Sequence, residues 1–591
     1  MKKKTCRFIA LMSAMAMAFT GCGASVNTDT EKSESSVEKS SEKSEVAETV
    51  DTAESEYPEY LNMDGAYPVI KDEYAGDIKL KVAIVQGATG GEWDDLWLSQ
   101  YLSEKYNLEF EVESIQETVL EEKKTILLSS GEVPDIIWGF KLTTQDIYKY
   151  GQRDGVLLQL DEYINETLTP NIARYFEDPA IAGACTTPDG HIYSLPSLSD
   201  SSNEGGIHRL FINREWLDQL NIEMPKTLDE FTDALYKIKE ADPAGVGSEN
   251  LYPLSGSLYD GSMFYVMNAF GYIVNKRTQV TDPVLRDGKV VIPAYDMEVF
   301  QEYLKLMNQY YTDGIVDPNF VTIEYTEATG QVAGGQAATF REPVYTLGMD
   351  TFTEWEALYP LTSEWHDEPE WMEPAAVSIG NFAISAETEY PELCLRFADL
   401  YFNNTTDDCY ALWVGAGETG ENAEYNFGYA SGGYDPETNG DYFDTEKFPE
   451  GVDLWTYLMG YIAGFVPNVG ALNLPESYFH HYRCLGYDPA EEVEYDVTTG
   501  EGAYRSSIKT NVKPYMVDGF PTIYYLDDET TNEMNNLVTI IKPYAEEQIA
   551  LFITGKRPLS ETSDFAKELE DMGAGRLLEI YEQIYANYLG N

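Results

Sequence analysis

Positive charge is scarce in this sequence. It contains 39 lysines and arginines against 102 aspartates and glutamates, so its formal net charge is −63. A surface this acidic repels the phosphate backbone of nucleic acids and the anionic head groups of lipids. The composition therefore argues against a nucleic-acid partner and suits a soluble protein outside the cell.

Cysteine is also scarce, with six residues in a chain of 591. Two of them lie near the N-terminus. The other four have no C-x-x-C spacing, and they are Cys185, Cys394, Cys409 and Cys484. So few and so scattered, they exclude a disulfide framework. We expect buried free thiols, with a Cys394–Cys409 pair left open.

Long apolar runs and catalytic signatures are missing after the N-terminus. No later run of 18 apolar residues could span a membrane, and H-E-x-x-H, G-x-S-x-G and P-loop motifs are absent. "GAGETG" at 415–420 fits a dinucleotide-binding pattern, but a loop-like stretch follows it where a helix is required. "HHYRC" at 480–484 has no second ligand cluster. The sequence thus predicts no metal, no cofactor and no enzyme.

The N-terminus carries an export signal. A basic head that includes Lys2–Lys4 precedes an uncharged apolar run at 8–19, and "FTGC" at 19–22 resembles the lipobox of bacterial lipoproteins, with Phe19 where Leu is usual. We expect a signal peptide at 1–21 and an acylated Cys22. Residues 22–56, rich in Ser, Glu and Lys, then form a disordered tether. The alternative is an ordinary signal peptide with an incidental cysteine.

The folded part begins near Tyr57 with an α/β pattern. Apolar runs at 79–87 and 134–140 and an alternating segment at 108–115 predict strands, and helical periodicity separates them. This alternation predicts a parallel sheet with covering helices, whose ligand binds beyond the carboxyl ends of the strands.

Six segments, taken in order, resemble one family. They are "SSGEVPDIIWG" (129–139), "YGQRDGVLLQLDEYI" (150–164), "TTPDGHIYSLP" (186–196), "INREWLDQLNIEMPKTLDEF" (212–231), "NFAISAETEYPELCLRFADLYFN" (381–403) and "FITGKRPLSETSDFAKELEDMGAGRLLEIYEQIYANYL" (552–589). The family is the family 1 extracellular solute-binding proteins, the maltose-binding-protein type of ABC-importer lipoprotein, in its larger Gram-positive branch.

The resemblance implies a two-lobed periplasmic-binding-protein type II fold. Each lobe is a mostly parallel sheet flanked by helices, and a hinge of two or three crossing strands joins them. Lobe 1 would comprise residues 57–200 and 376–430, and lobe 2 residues 201–375, with C-terminal helices in 431–591 packing across both. The implied protein is a lipid-anchored monomer on the outer face of the cell membrane that delivers its solute to ABC permease subunits.

The favoured solute is an oligosaccharide, because sugar sites pair stacking aromatics with polar side chains and 13% of the residues are aromatic. The candidate ligand-binding residues follow strands or lie where the lobes cross, and they are Trp93, Asp94, Trp138, Glu204, Arg341 and Trp413. For each tryptophan the alternative is packing under a helix. Other functions left open are binding of a peptide or other polar solute, a surface glycosidase, and a structural or adhesive lipoprotein.

A calcium loop found in some family members is altered here. Those members read roughly Asp-Pro-Asn-Gly-Asn-Gly after the long helix of the second lobe, whereas residues 242–254 read "DPAGVGSENLYPL". Asp242 remains, but Ala244 and Val246 replace oxygen ligands. Because calcium takes six to eight oxygens, we expect no calcium at this loop.

Replacing Cys22 tests the anchor. Cys22→Ala should release the protein from the membrane fraction or block its processing, because the acylated thiol is lost. Fractionation and N-terminal sequencing of wild type and variant check this. Identical membrane partition, with both chains cleaved at another position, would contradict the lipobox assignment.

Overall fold

The computed structural model describes residues 57–590 with gaps at 66, 87–90, 200–208, 258–261, 276–277, 342–346, 348–351, 404–430, 436–439, 444–469, 474–496 and 498–499. The predicted signal peptide, Cys22 and the predicted tether, at residues 1–56, lie outside the described residues. Within the described part, no helix is both long and apolar enough to cross a membrane.

The strands, in chain order, are β1 Lys79–Gln86, β2 Glu109–Gln116, β3 Ile136–Trp138, β4 Leu195–Ser199, β5 Phe211–Asn213, β6 Val284–Arg286, β7 Lys289–Val291, β8 Thr339–Phe340, β9 Trp355–Ala357, β10 Trp371–Met372, β11 Val377–Ile384, β12 Ser431–Asp435, β13 Gly440–Phe443, β14 Gly470–Asn473 and β15 Met516–Val517. The helices are α1 Trp97–Tyr106, α2 Leu120–Ser130, α3 Thr144–Asp146, α4 Pro170–Phe176, α5 Pro179–Cys185, α6 Arg214–Gln219, α7 Leu228–Ala241, α8 Ser262–Asn268, α9 Met297–Thr312, α10 Tyr325–Ala333, α11 Pro391–Leu400, α12 Gly500–Asn511, α13 Asp528–Ile553, α14 Thr562–Asp571 and α15 Ala574–Tyr588.

The larger sheet has six strands in the order β14-β4-β11-β3-β1-β2. Strands β2, β1 and β3 run parallel, as the sequence predicts, and β14 is parallel to β4. Strand β11 is antiparallel to both of its neighbours, β3 and β4. The sheet is therefore mostly parallel, with one reversed strand at its centre.

Apolar layers cover both faces of the larger sheet and complete what we call the first unit, residues 57–199 and 377–403 with strand β14. One face packs against α1 and α11 through residues such as Leu102 and Phe397, and the other packs against α2 through Leu120 and Leu128. Burial on both faces explains why β1 is a nearly continuous apolar run.

A second unit, residues 209–372 and 500–590, has its own core. Its three-stranded antiparallel sheet has the order β8-β5-β9. Helices α7 and α9 bury apolar stripes in the core of this unit, and the buried apolar residues of α12–α15 belong to the same core. The C-terminal helices also contact the first unit, because Arg153 Nη1 lies 2.8 Å from Asp528 Oδ2 at the start of α13.

Local signals in the sequence set several helix ends. Thr227 and Glu230, whose spacing predicts a capping box, form that box at the start of α7, and Pro391 opens α11 at its first turn. The segment "HIYSL" at 191–195 also predicts a strand, and this prediction is wrong, because β4 begins only at Leu195. The segment before it folds back on itself instead, with Ile192 bridging Thr186.

Helix α11 holds the N-terminal segment of the fold. The Arg396 guanidinium is buried and donates to the carbonyl oxygens of Asn62 (3.4 Å) and Gly65 (2.7 Å). Leu61 and Ile70 are buried in the core of the first unit. The segment at the start of the described fold is thus fixed to the first unit.

The loop after α7 is closed by its own carboxylate. Asp242 ends the helix with φ of 46°, and its two carboxylate oxygens accept from the backbone N–H of Val246 (3.0 Å) and Gly247 (2.8 Å). This carboxylate therefore shapes the loop through backbone amides. No group of three or more potential metal ligands occurs among the described residues.

Substituting Asp242 tests how this loop is held. Asp242→Ala should lower the free energy of unfolding by about 1–3 kcal/mol, because two amides lose their acceptor, and the loss should be equal in millimolar calcium and in EDTA. Asp242→Asn, which keeps one acceptor oxygen, should lose less. A saturable calcium-dependent rise in the wild-type melting temperature that Asp242→Ala abolishes would show that the loop binds calcium.

Candidate functional site

The carboxyl ends of β1 and β2 are joined by a chain of side-chain amides. Gln116 Nε2 donates to Gln86 Oε1 (3.1 Å), and Gln86 Nε2 donates to the carbonyl oxygen of Gly91 (2.6 Å). Gln86 is buried, whereas Gln116 is exposed. These hydrogen bonds hold Gly91 beside the end of β1 and place polar amide groups at this edge of the sheet.

An ion pair lies beyond the ends of β2 and β3. Lys141 Nζ is 2.6 Å from Glu117 Oε1, and both side chains are more than half exposed. An exposed pair of this kind contributes little to folding stability. Lys141 is the one lysine or arginine among residues 139–143, and this pair holds it beside a carboxylate.

Strands β4 and β11 extend past the ends of β1–β3. The register sets Phe382 opposite both Trp138, the last residue of β3, and Leu195, the first residue of β4. The rest of β4 and the beginning of β11 therefore project beyond this edge, and they lead to and from the second unit. They are the crossing strands that the resemblance implies.

The connection after β3 lies against the projecting part of β11. The N–H of Gly139 donates to the carbonyl of Asn381 (2.6 Å), and the N–H of Leu142 donates to the carbonyl of Gly380 (2.9 Å). Gly380 has φ of +81°, and a Cβ there would lie 1.9 Å from Leu142 O. Only glycine allows this approach, which forms a step between the sheet edge and the crossing strands.

In the second unit, the relevant sheet edge is the one where the chain enters from the first unit. Phe211 pairs with Phe340, so Arg341 lies directly beyond β8 at the entrance edge of the smaller sheet. Arg209 is buried there, with its guanidinium 5.1 Å from the centre of the Phe211 ring. The two sheet edges and the strands between them form the candidate site.

The structure places both predicted first-lobe tryptophans in the core. Trp138 is 1% exposed and meets Phe397 and Tyr401 edge-on at 5.6 and 5.1 Å. Trp93 is 8% exposed and meets Phe110 edge-on at 5.7 Å. Packing in the core is the alternative that the sequence left open for each tryptophan. Contact of either indole with a ligand stays a prediction.

The other predicted site residues divide into two groups. Asp94 is exposed in the connection after β1, and Arg341 is half-buried at the edge of the smaller sheet, so each lies on one of the two edges. Glu204 and Trp413 lie outside the described residues.

Sequence reasoning missed the amides of Gln86 and Gln116 and the lysine that pairs with Glu117. The available signal was a polar residue ending an otherwise apolar strand, as Gln86 ends β1.

The two described cysteines are free and buried, as expected. Burial raises the pKa of the Cys185 thiol to about 12 and holds that of Cys394 well above its ordinary value. Because the thiolate is the reactive form, neither side chain is suited to act as a nucleophile. Cys409 and Cys484 lie outside the described residues.

A pair of tryptophan substitutions separates packing from binding. Trp138→Ala should lower the free energy of unfolding by about 3–5 kcal/mol, because a buried indole leaves a cavity. Trp365→Ala is the control, since that indole is 38% exposed and its loss should cost about 0.5 kcal/mol or less. Chemical denaturation and calorimetric titration of both variants check this. Unchanged stability with strongly weakened binding in Trp138→Ala would place that indole at the ligand.

Comparisons with known proteins agree with this architecture. Residues 86–406 match the family model of the bacterial extracellular solute-binding proteins. The fructooligosaccharide ABC transporter substrate-binding protein FusA of Streptococcus pneumoniae serotype 4 (strain ATCC BAA-334 / TIGR4) is 31% identical over 204 residues, 33% of this chain and 37% of FusA. The polygalacturonan/rhamnogalacturonan-binding protein YtcQ of Bacillus subtilis (strain 168) is 24% identical over 238 residues, 40% of this chain and 44% of YtcQ. The chain thus matches less than half the length of each of these relatives.

The solved structure of S. pneumoniae FusA in complex with kestose superimposes with a TM-score of 0.67 at 19% identity, covering 87% of this chain and 100% of that one. A likeness at this identity shows the fold, the two-lobed periplasmic-binding-protein type II architecture, in agreement with the two units and their crossing strands. The family model spans more than half of the sequence, and its members bind solutes outside the cytoplasm. The chain belongs to the bacterial extracellular solute-binding proteins.

Proposed function

We propose that this protein is the lipid-anchored solute-binding component of an ABC importer and captures an oligosaccharide between its two units. The observation that carries the proposal is the pair of sheet edges joined by β4 and β11. Each edge carries at least one polar group that the sequence selects for ligand contact, Asp94 on the first and Arg341 on the second.

The geometry suits closure on a ligand. A solute that contacts both edges stabilises the closed form by the contacts that span the two units, whereas contacts to one edge leave the equilibrium unchanged. Asp94 accepts hydrogen bonds only, and Arg341 donates only, so together they match hydroxyl groups, which do both.

Relatives support a carbohydrate and leave its charge open. FusA is named for fructooligosaccharides and YtcQ for polygalacturonan and rhamnogalacturonan. A peptide or another polar solute is the alternative within the same family. In either case we expect delivery to membrane permease subunits by a monomer held through Cys22.

We propose that the chain does no catalysis. In the described part, burial raises the pKa of the carboxyl groups of Asp282, Asp296, Asp399 and Glu546, to about 6 for Asp399. The three aspartates have structural partners: Asp282 accepts from the backbone N–H of Gln279 (2.8 Å), Asp399 from that of Ile172 (2.8 Å), and Asp296 from the hydroxyl of Tyr272 (3.2 Å). A glycosidase needs two carboxyl groups facing each other across the scissile bond, and these three aspartates serve the fold.

A ligand screen tests the proposal. Oligosaccharides and peptides are tested by thermal shift on the mature chain, because a ligand at 100 times its Kd stabilises the native state by about 2.7 kcal/mol. We expect hits among oligosaccharides, without release of reducing sugar. Hits among peptides alone would establish the alternative, and reducing-sugar release would establish an enzyme.

Two variants then localise the site. Asp94→Ala should weaken binding of the identified oligosaccharide at least tenfold, about 1.4 kcal/mol, and Arg341→Ala should do likewise. Asp95→Ala is the matched control, an exposed carboxylate one residue further along the same turn, and its Kd should stay within twofold of wild type. Equal effects of Asp94→Ala and Asp95→Ala would remove Asp94 from the site.

A further inference from the structure

We infer that the site selects uncharged oligosaccharides and rejects those built from uronic acids. This inference rests on the proposed function and adds the charge of the solute. It comes from how positive charge is distributed over the residues that meet at the crossing strands.

The first edge offers almost no positive charge. The described residues of its connections and crossing strands are 86, 91–95, 116–119, 139–143, 195–199 and 377–381. Among them Lys141 is the one lysine or arginine, and it is held 2.6 Å from Glu117. Glu92, Asp94 and Asp95 add further negative charge to the same edge.

Neutral groups at this edge suit hydroxyl groups. The exposed Gln116 amide and the Ser378 hydroxyl can each donate and accept, while the carboxylate of Asp94 accepts. A sugar hydroxyl satisfies any of these. A uronate carboxylate only accepts, so against Asp94 it forms no hydrogen bond and meets a like charge.

Among the described residues, the second edge carries Arg209 and Arg341. Arg209 is buried, and its guanidinium lies over the Phe211 ring at 5.1 Å. Arg341 is half-buried directly beyond β8 and is the arginine proposed for ligand contact. One guanidinium can match a single carboxylate, whereas a uronic-acid oligomer carries one carboxylate on every ring.

Like charge then acts against a uronate at the first edge. A carboxylate brought against the exposed side chains of Glu92, Asp94 and Asp95 meets like charge, so each uronate without a cation beside it opposes binding.

Matched ligands test the inference. The mature chain is titrated calorimetrically with neutral oligosaccharides of hexose, pentose and fructose units and with oligogalacturonides and oligomannuronates of equal length, each acidic oligomer also as its neutral methyl ester. We expect binding only in the neutral set, with a Kd that changes less than about twofold between 20 and 500 mM salt. An acidic oligomer that binds more tightly than its methyl ester would overturn the inference. Failure of every glycan would instead overturn the proposed function.

A charge variant sharpens the result. Glu117→Gln frees Lys141 and removes one negative charge from the edge, so any residual affinity for an acidic oligomer should rise several-fold, and by more than any change in neutral binding. Glu113→Gln is the control, because it makes the same charge change at an exposed pair with Lys123 (3.9 Å) on the body of β2. An equal rise in both variants would show that net charge acts, and the rejection would then not arise at this edge.

Discussion

The double pairing of β11 is the constraint on which the rest of the structure depends. One antiparallel strand pairs with β3 through its second half and with β4 through its first half, so Phe382 is level with the end of one strand and the start of the other. This register joins the parallel part of the sheet to the strands that cross to the second unit. The close contact of Gly380 with Leu142 holds that register, since a one-residue slip would set a side chain against the Leu142 carbonyl.

Charge and apolar packing have separate roles in this molecule. With 39 cations among 102 carboxylates, a cation readily finds a partner, as Arg576 does with Glu533 and Arg557 with Glu568. The remaining negative charge repels itself and opposes the compact state. Stability must come from the apolar clusters on both faces of the larger sheet and around α9, and the partly exposed ion pairs add little.

Local patterns predicted the parts of the fold that local chemistry determines. The strands β1–β3, their parallel order and the capping box of α7 follow from periodicity and spacing. Strand β11 joins Phe382 to Trp138 and to Leu195, both far from it in the sequence, so no short window reveals the pairing. The strand predicted at 191–195 is wrong because β4 begins only at Leu195, where its pairing with β11 begins.

The candidate site was likewise only partly predictable from local patterns. Position along a strand was predictable, since Trp138 does end β3, but the direction of its indole depends on which face α11 covers. A three-residue strand buried on both faces carries no alternation from which to decide this. Gln86 and Gln116 escaped notice because glutamine at a strand end is common, and only their mutual hydrogen bond distinguishes them.

The hydrogen bonds from Arg396 to the carbonyl oxygens of Asn62 and Gly65 have a mechanical consequence. In a protein held at Cys22, tension along the tether would reach the fold at this point and be borne by α11 and the core beneath it. With the first unit held in this way, any change of angle at the crossing strands would be a movement of the second unit, which is joined to the first through those strands and the contact of Arg153 with Asp528.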